Sequence, residues 1–322
     1  MTSKKVTAHK LVVIIPCLNE EGSIGSTVKE VLTNVPNAKV IVVDNNSTDS
    51  TAREAITAGA QVVFEPSPGK GRAFRRALQH LPRHFDALLM VDGDGTYDIS
   101  PVHNALHKIT HEGVDLVVGK RVSHGDAMQT YRKGHRFGNK MFTGLNRFFH
   151  ASQIEDSLSG WRLMSHKFVG TFPANSRGFE IETEMNAHVR NFDMNVSNLE
   201  VTYRERGYDS FSKLRTYKDG IRILLSNFRI ALQNRPLIFL GIPSSVAVLV
   251  SIPLIARAFR GYLDTGFVPQ LPSLIVGTSM LIGGSTLILI GYLLEQMRLT
   301  HISTTRQNYL LALDTPNEFE DR

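Results

Sequence analysis

"DALLMVDGDGTYD", residues 86–98, opens as an apolar run and closes as a cluster of acids. "ALLM" fits a strand covered on both faces, because such strands read as continuous hydrophobic stretches. Directly behind it, "VDGDGTYD" (91–98) holds three carboxylates with glycines between them. Carboxylates that close repel one another, so the loop expects positive charge. Four more apolar runs precede or follow: "KLVVIIP" (10–16), "AKVIVVD" (38–44), "AQVVFE" (60–65) and "VDLVVG" (114–119). Helical stretches lie between them, such as "EEGSIGSTVKEVLTNV" (20–35) and "STDSTAREAITAGA" (47–60), the latter with Ser47 placed to cap it. This alternation predicts an α/β fold with a mostly parallel, doubly wound sheet whose ligands gather at the carboxyl ends of the strands. The polar motifs fall at those ends: "PCLNEE" after the first strand, "DNNSTD" after the second, "DGDG" after the fourth and "KR" after the fifth.

The 322-residue chain carries a formal charge of +6 and changes texture near residue 236. "LIFLGIPSSVAVLVSIPLIA" (237–256) and "LPSLIVGTSMLIGGSTLILIGYLL" (271–294) contain no charged residue. At about 1.5 Å per residue, twenty helical residues reach the roughly 30 Å of a bilayer core. Two such runs joined by "RAFRGYLDTGFVPQ" predict a transmembrane hairpin over 236–296. Arg222, Arg229 and Arg235 precede the first run and Arg298 and Arg306 follow the second, against Arg257 and Arg260 beside Asp264 in the link. That bias puts both ends in the cytoplasm. "MTSKKVTAHK" followed by the short "LVVIIP" does not read as a signal peptide. Cys17 is the only cysteine, so no internal disulfide forms, as suits a reducing compartment. The expected organisation is a cytoplasmic domain at 1–215, a juxtamembrane amphipathic helix at 216–235, the two spans, and a cytoplasmic tail at 297–322, all on the inner membrane of the cell.

Asp92 and Asp94, at i and i+2 on a strand-to-loop junction, can converge on one hard cation whose shell is completed by water and substrate phosphates. The same Asp-Gly pairs also suit a plain turn. A calcium EF-hand loop is excluded, since its sixth position holds Tyr97 and its twelfth His103. Asp44 offers a carboxylate to a base edge, or closes a turn in "DNNSTD". "SPGKGRAFRRAL" (67–78) sets glycines around Lys70 at a helix start, an anion site through N–H groups and charge, although no Walker motif is present.

In order, "VVIIPCLNEE", "VIVVDNNSTDST", "GKGRAFRRAL", "VDGDGTYD", "VVGKR", "DSLSGWRLMS", "EIETEM" and "YRERGYDSFSKL" resemble family 2 glycosyltransferases of the GT-A fold, from Val12 to about Leu214. Within that family the chain looks most like the dolichol-phosphate mannosyltransferase-like, polyprenyl-phosphate branch, whose two-helix bacterial members carry C-terminal spans. The resemblance implies a nucleotide-sugar donor, with Pro16, Leu18, Glu20, Val42 and Asp44 around the nucleoside, Lys70, Asp92 and Gly93 also on the nucleotide, and Asp92 and Asp94 holding Mg²⁺ or Mn²⁺. It implies an acceptor phosphate gripped by Arg121 and Arg136, with Arg132 and Ser159 nearby. Ser159, Gly160 and Arg162 would shape the sugar–acceptor junction, and Arg206 and Lys213 would close over it. Asp94, Arg121, Arg136, Arg162, Arg206 and Lys213 form the expected catalytic set. The chain departs from the family pattern at Thr96, where relatives often carry Gln, and at Asn45-Asn46, where Asp-Gly is common.

"QTYRKGHRFGNKMFTGLNRFFHA" (129–151) places Arg132, Arg136, Lys140 and Arg147 on one helical arc and Phe137, Met141, Leu145 and Phe148 opposite. A basic amphipathic helix with aromatic residues suits a membrane surface or an anionic lipid head group, or a core helix with a solvated basic face. "DGIRILLSNFRIAL" (219–232) repeats the pattern beside the first span. The basic surface shows no nucleic-acid-binding module. A lipid phosphate accounts for both the spans and the arginines, and a phosphate monoester, with its second pKa near ~6, needs no base to ionise it at neutral pH. The expected reaction is a single inverting displacement of a nucleoside diphosphate by a polyprenyl phosphate such as undecaprenyl or dolichyl phosphate. Two other classes remain: a processive polysaccharide synthase, which lacks its Q-x-x-R-W motif here, and an inactive membrane-tethered nucleotide-sugar binder. A homo-oligomer is compatible with either organisation.

Overall fold

The structure is a computed structural model that describes residues 10–122, 154–204, 232 and 236–311. The basic stretch 129–151, nearly all of 216–235 and residues 312–322 lie outside the described residues. Two compact units divide the chain, Met1–Asn227 and Phe228–Arg322.

The first unit is a seven-stranded sheet flanked by helices. In chain order its elements are β1 (Leu11–Cys17), α1 (Ile24–Asn34), β2 (Lys39–Asp44), α2 (Thr51–Thr57), β3 (Gln61–Phe64), α3 (Lys70–Leu78), β4 (Ala87–Met90), α4 (Val102–His111), β5 (Leu116–Val122), β6 (Arg162–Ser165), α5 (His166–Thr171), α6 (Ile181–Asn191) and β7 (Val196–Thr202). The strands lie in the order β3-β2-β1-β4-β6-β5-β7. β3, β2, β1 and β4 are mutually parallel, β6 is wedged antiparallel between β4 and β5, and β7 pairs parallel with β5. All five expected strands are present, and β6 and β7 are additional.

In β1, β2 and β4 the continuous apolar runs follow from burial on both faces. Successive strand residues point to opposite sides, so Leu11, Val13 and Ile15 of β1 pack with Ile24, Val28 and Val31 of α1. Val12 and Ile14 pack on the other face with Ala73, Phe74 and Ala77 of α3 and with Met185 of α6. Register aligns the functional ends: Cys17 opposes Asp44, Ile14 opposes Met90, and the Val91 N–H donates to Ile14 O at 3.1 Å. The loops after β1, β2 and β4 therefore emerge side by side. One local expectation is corrected. α2 begins at Thr51 with Ser50 at its N-cap, and Ser47 does not cap it.

His188 of α6 sits against Phe168, Phe172 and Phe192, its Nε2 3.0 Å from Thr171 Oγ1. Burial pushes its pKa down from 6.5 to about 3. The unfolded chain thus takes up a proton below pH 6.5 that the folded protein refuses until about pH 3. Stability is unaffected by this group above that window and falls as pH drops through it, by about 2 kcal/mol at about pH 5. His188→Gln should flatten the acid limb of a plot of unfolding free energy against pH; an unchanged limb would remove His188 as its source.

In the second unit, α7 (Pro236–Thr265) and α8 (Leu271–Leu311) pair. Both are long and apolar enough to cross a membrane, and only 11% and 17% of their most apolar stretches are buried. A soluble core helix would hide those side chains, whereas Leu249, Leu263 and Ile282 are each about two-thirds exposed. The helices extend past the apolar runs 237–256 and 271–294, so Arg257 and Arg260 lie within α7 and not in a linking loop. Gly277, Gly284 and Gly291 recur every seventh residue along α8. A Cβ on Gly277 would stand 2.9 Å from Ile255 Cγ1, one on Gly284 2.8 Å from Val248 Cγ2, and one on Gly291 3.3 Å from Leu240 Cβ. Small residues at such spacing let two helices in a membrane approach closely.

Candidate active site

The loops after β1 and β2 are stitched together by their polar residues. Asn19 N–H donates to Ser47 Oγ (2.9 Å), and Thr48 N–H returns a bond to Asn19 Oδ1 (2.8 Å). Glu20 N–H donates to Thr51 Oγ1 (2.8 Å), Glu21 N–H to Asp49 Oδ2 (3.1 Å), and Ser50 N–H to Glu21 Oε2 (3.0 Å). Asn19 holds a positive φ of 51°, a conformation that asparagine tolerates better than most residues. Asp44 Oδ1 accepts the Ser47 N–H at 2.9 Å, closing the turn after β2. Asn45 bridges onward: its Nδ2 donates to Glu65 O and Ser67 O, and its Oδ1 accepts the Gly69 N–H at 2.6 Å. Much of "NEE" and "DNNSTDST" thus frames a hydrogen-bonded floor.

The acid loop after β4 meets this floor. Asp94 is buried, and its Oδ1 accepts both the N–H (3.1 Å) and the hydroxyl (2.6 Å) of Thr96. Thr96 therefore orients Asp94, which gives that departure a structural role. The Gly93 carbonyl accepts Ser23 Oγ–H at 3.0 Å. Arg204 N–H donates to Thr96 O at 2.7 Å, which pins the loop to the chain leaving β7. Asp92 faces a cation already: Lys70 Nζ lies 2.6 Å from Asp92 Oδ1 and 2.6 Å from Glu182 Oε1, with the Lys70 and Glu182 side chains only 8% and 4% exposed. Burial alone would lower the Lys70 pKa, but the two carboxylates outweigh it and hold the ammonium above its ordinary range. Gly160 packs directly on the Asp92 carboxylate, where a Cβ would come 2.2 Å from Oδ2.

No group of three or more His, Cys, Asp or Glu among the described residues is arranged to hold a metal ion. Asp92 and Asp94 supply hard carboxylate oxygens from one loop, a donor set that fits Mg²⁺ or Mn²⁺ when a ligand's phosphates and water complete the shell.

Residues 12–171 match the family model for glycosyl transferase family 2. The chain is 46% identical over 129 residues to protein RfbJ of Shigella flexneri, covering 40% of this chain and 98% of that one. It is 33% identical over 239 residues to glycosyltransferase AglJ of Haloferax volcanii, covering 73% and 76%. The chain belongs to glycosyltransferase family 2. The fold of this glycosyltransferase matches glucosyl-3-phosphoglycerate synthase from Mycobacterium tuberculosis with a TM-score of 0.55 at 21% identity, over 69% of this chain and 80% of that one.

Within the glycosyltransferase, Asp44, Glu20, Asp92, Gly93, Asp94 and Lys70 sit on the loops and helix start at one end of the sheet, with Pro16 and Leu18 half-buried beside them. Val42 is placed differently: it is wholly buried among the α1 and α2 side of the core, and lines no surface. The α3 start is also differently used. Its Gly71 and Arg72 N–H groups donate to Gly178 O and Arg177 O, so these two amides are engaged by the chain itself. Arg121 is bound bidentately by Asp156, Nε to Oδ2 at 2.6 Å and Nη2 to Oδ1 at 2.8 Å. Burial would raise the Asp156 pKa, but that guanidinium holds its carboxyl below the usual value.

Arg162 and Ser159 are fully buried. Arg162 donates to Ser159 O (2.9 Å), Ser157 O (2.9 Å) and Asn186 Oδ1 (2.7 Å), tying the 156–160 turn to α6. Both hold the turn that carries Gly160 from inside and reach no surface. Arg132, Arg136, Arg206 and Lys213 lie outside the described residues. The sequence reading missed Glu182, and noted Asn45 only as a departure from the family pattern. Both stand inside quoted motifs, "EIETEM" and "VIVVDNNSTDST", but neither motif says which carboxylate or amide turns inward.

Proposed function

We propose that this glycosyltransferase moves a hexose from a UDP- or GDP-sugar to a polyprenyl phosphate at the cytoplasmic face of a membrane, with inversion at the anomeric carbon. The observation that carries the reading is the Asp92–Asp94 pair at the carboxyl end of a central parallel strand, beside the β1 and β2 loops, in a chain that also holds two helices able to cross a bilayer. The mycobacterial synthase that shares the fold has been solved with Mn²⁺ and UDP-glucose, which supports a nucleotide-sugar donor and a divalent cation. That cation, when held by Asp92 and Asp94, would neutralise charge on the departing nucleoside diphosphate. Asp44 and Glu20 face the nucleoside from the stitched loops. Lys70 stands at the donor end with its charge already fixed. An ionised lipid phosphate supplies the nucleophile, so the protein's task is placement and charge stabilisation. Both termini face the cytoplasm in this reading, the orientation that the excess of flanking arginines favours.

The purified protein in detergent should move label from a sugar-labelled UDP- or GDP-sugar into the organic phase when polyprenyl phosphate is added. Label that stays in water, as free sugar or a soluble glycoside, would overturn the acceptor assignment. Arg136→Ala should lower acceptor efficiency by at least about tenfold, the size of a charge-assisted bond of roughly 1.5–3 kcal/mol. Donor affinity, followed by calorimetry, should be unchanged. Collapse of donor affinity with steady acceptor kinetics would reassign Arg136 to the nucleotide.

A further inference from the structure

The Lys70 ammonium occupies a place between two carboxylates of different kinds. Asp92 belongs to the acid loop and is about one-third exposed; Glu182 belongs to the first turn of α6 and is almost completely hidden. The second oxygen of Glu182, Oε2, is buried with no hydrogen-bond partner. Lys70 itself begins α3, whose first turn is fastened to the 177–178 backbone, so its Cα cannot travel. The ammonium can still turn about its flexible stem, and Glu182 offers it a second acceptor within reach. We propose that Lys70 is a resident counter-ion that neutralises Asp92 before the donor arrives, and that Glu182 is a positioning residue that takes over Lys70 when a divalent cation claims Asp92. The inference rests on the metal reading of Asp92 and Asp94.

The physical reason is competition. Asp92 and Asp94 lie two residues apart, and without a cation their charges repel. Lys70 relieves that repulsion on Asp92. A divalent cation approaching the same carboxylate meets the ammonium as a like charge and must displace it. Displacement is costly when the ammonium is left buried and unpaired, since an uncompensated buried charge is strongly unfavourable. Glu182 removes that cost, because the ammonium stays bound on its far side and the idle Oε2 can accept a second N–H. Glu182 thus acts on the cation site only through Lys70. A glutamate acting by its charge alone would attract a cation whether or not Lys70 were present.

Mn²⁺ alone, titrated into the full-length protein in detergent without nucleotide and followed by water-proton relaxation, separates these cases. Glu182→Gln should weaken Mn²⁺ binding by at least about tenfold, equivalent to about 1.4 kcal/mol. The double variant Lys70→Met with Glu182→Gln removes competitor and acceptor together, leaves no buried charge at either position, and should bind Mn²⁺ as tightly as Lys70→Met alone. Circular dichroism checks that each variant is folded. A double variant that binds more weakly than Lys70→Met overturns the proposal, as does equal behaviour of all four proteins, with or without detectable binding. Failure of the metal reading itself looks different: Mn²⁺ binding to the wild type would then survive Asp94→Asn.

Discussion

Asp94→Asn should lower sugar transfer by at least about 10²–10³-fold, the range for loss of one preorganised electrostatic contact, while the fold stays intact. Asparagine keeps the shape of aspartate and an Oδ1 that can still accept the Thr96 N–H and hydroxyl, so the turn that buries residue 94 keeps its hydrogen bonds. What is lost is the negative charge, and with it one of the two hard ligands proposed for the cation. The melting temperature should move by no more than about 2–4 °C, the shift produced by about 1 kcal/mol in a protein of this size class. A chelator added to wild type should reproduce the loss, and added Mn²⁺ should restore it. Full activity of Asp94→Asn in the presence of chelator would end the metal assignment.

Gly160→Ala tests the other half of the pair from behind. A Cβ at residue 160 would meet Asp92 at 2.2 Å from Oδ2, 2.6 Å from Cγ and 2.8 Å from Oδ1, all closer than real Cβ atoms approach. The alanine backbone can stay where it is, held by the Gly160 N–H bond to the Tyr97 hydroxyl at 2.9 Å. Asp92 must then give way, and its Oδ1 is tied to Lys70, which is tied in turn to Glu182. Overpacking of this kind costs roughly 1–3 kcal/mol of stability. Displacing a reacting-site group by about 1 Å costs on the order of 10²-fold in rate. Initial rates and a thermal melt measure the two effects. A Gly160→Ala enzyme that transfers sugar at the wild-type rate would show that the observed position of Asp92 is not the working one.

β1, β2 and β4 were legible because they are buried on both faces, and burial writes itself as unbroken apolar runs; the buried first half of β5 reads the same way, and β3, an edge strand, showed itself through its β-branched and aromatic residues. β6 and β7 were not legible for opposite reasons. "RLMS" begins with an arginine that no pattern assigns to a core, yet Arg162 is buried, with Ser159 O, Asn186 Oδ1 and Ser157 O each accepting from a different guanidinium nitrogen. "VSNLEVT" lies at the sheet edge, half-exposed along most of its length, so polar residues interrupt it. The acid loop announced a need for positive charge, but not that Lys70 would meet Asp92. That contact is made by the crossover of β4 beside β1, a long-range event. Lys70 drew attention through its flanking glycines as an anion site, and the structure instead closes two of those amides with the 177–178 carbonyls. Arg121 stood out for its charge, while the partner that restrains it, Asp156, lies in a different motif. Local sequence thus names the groups that carry charge; which of them neutralise each other is decided by topology.

The glycine seam of the hairpin limits what the membrane half can do. Where Gly277, Gly284 and Gly291 bring α8 against α7, backbone and methyl groups fill the space between the helices. Ser244 and Ser251, the buried hydroxyls along α7, turn back onto their own helix, donating to Leu240 O and Val248 O. A pair zipped in this way has an outside and no lumen. It can tether an enzyme to a bilayer, yet it offers a sugar head group no wet path to the far leaflet. For the proposed lipid acceptor, these two helices by themselves would leave the sugar on the side of the bilayer where it was attached.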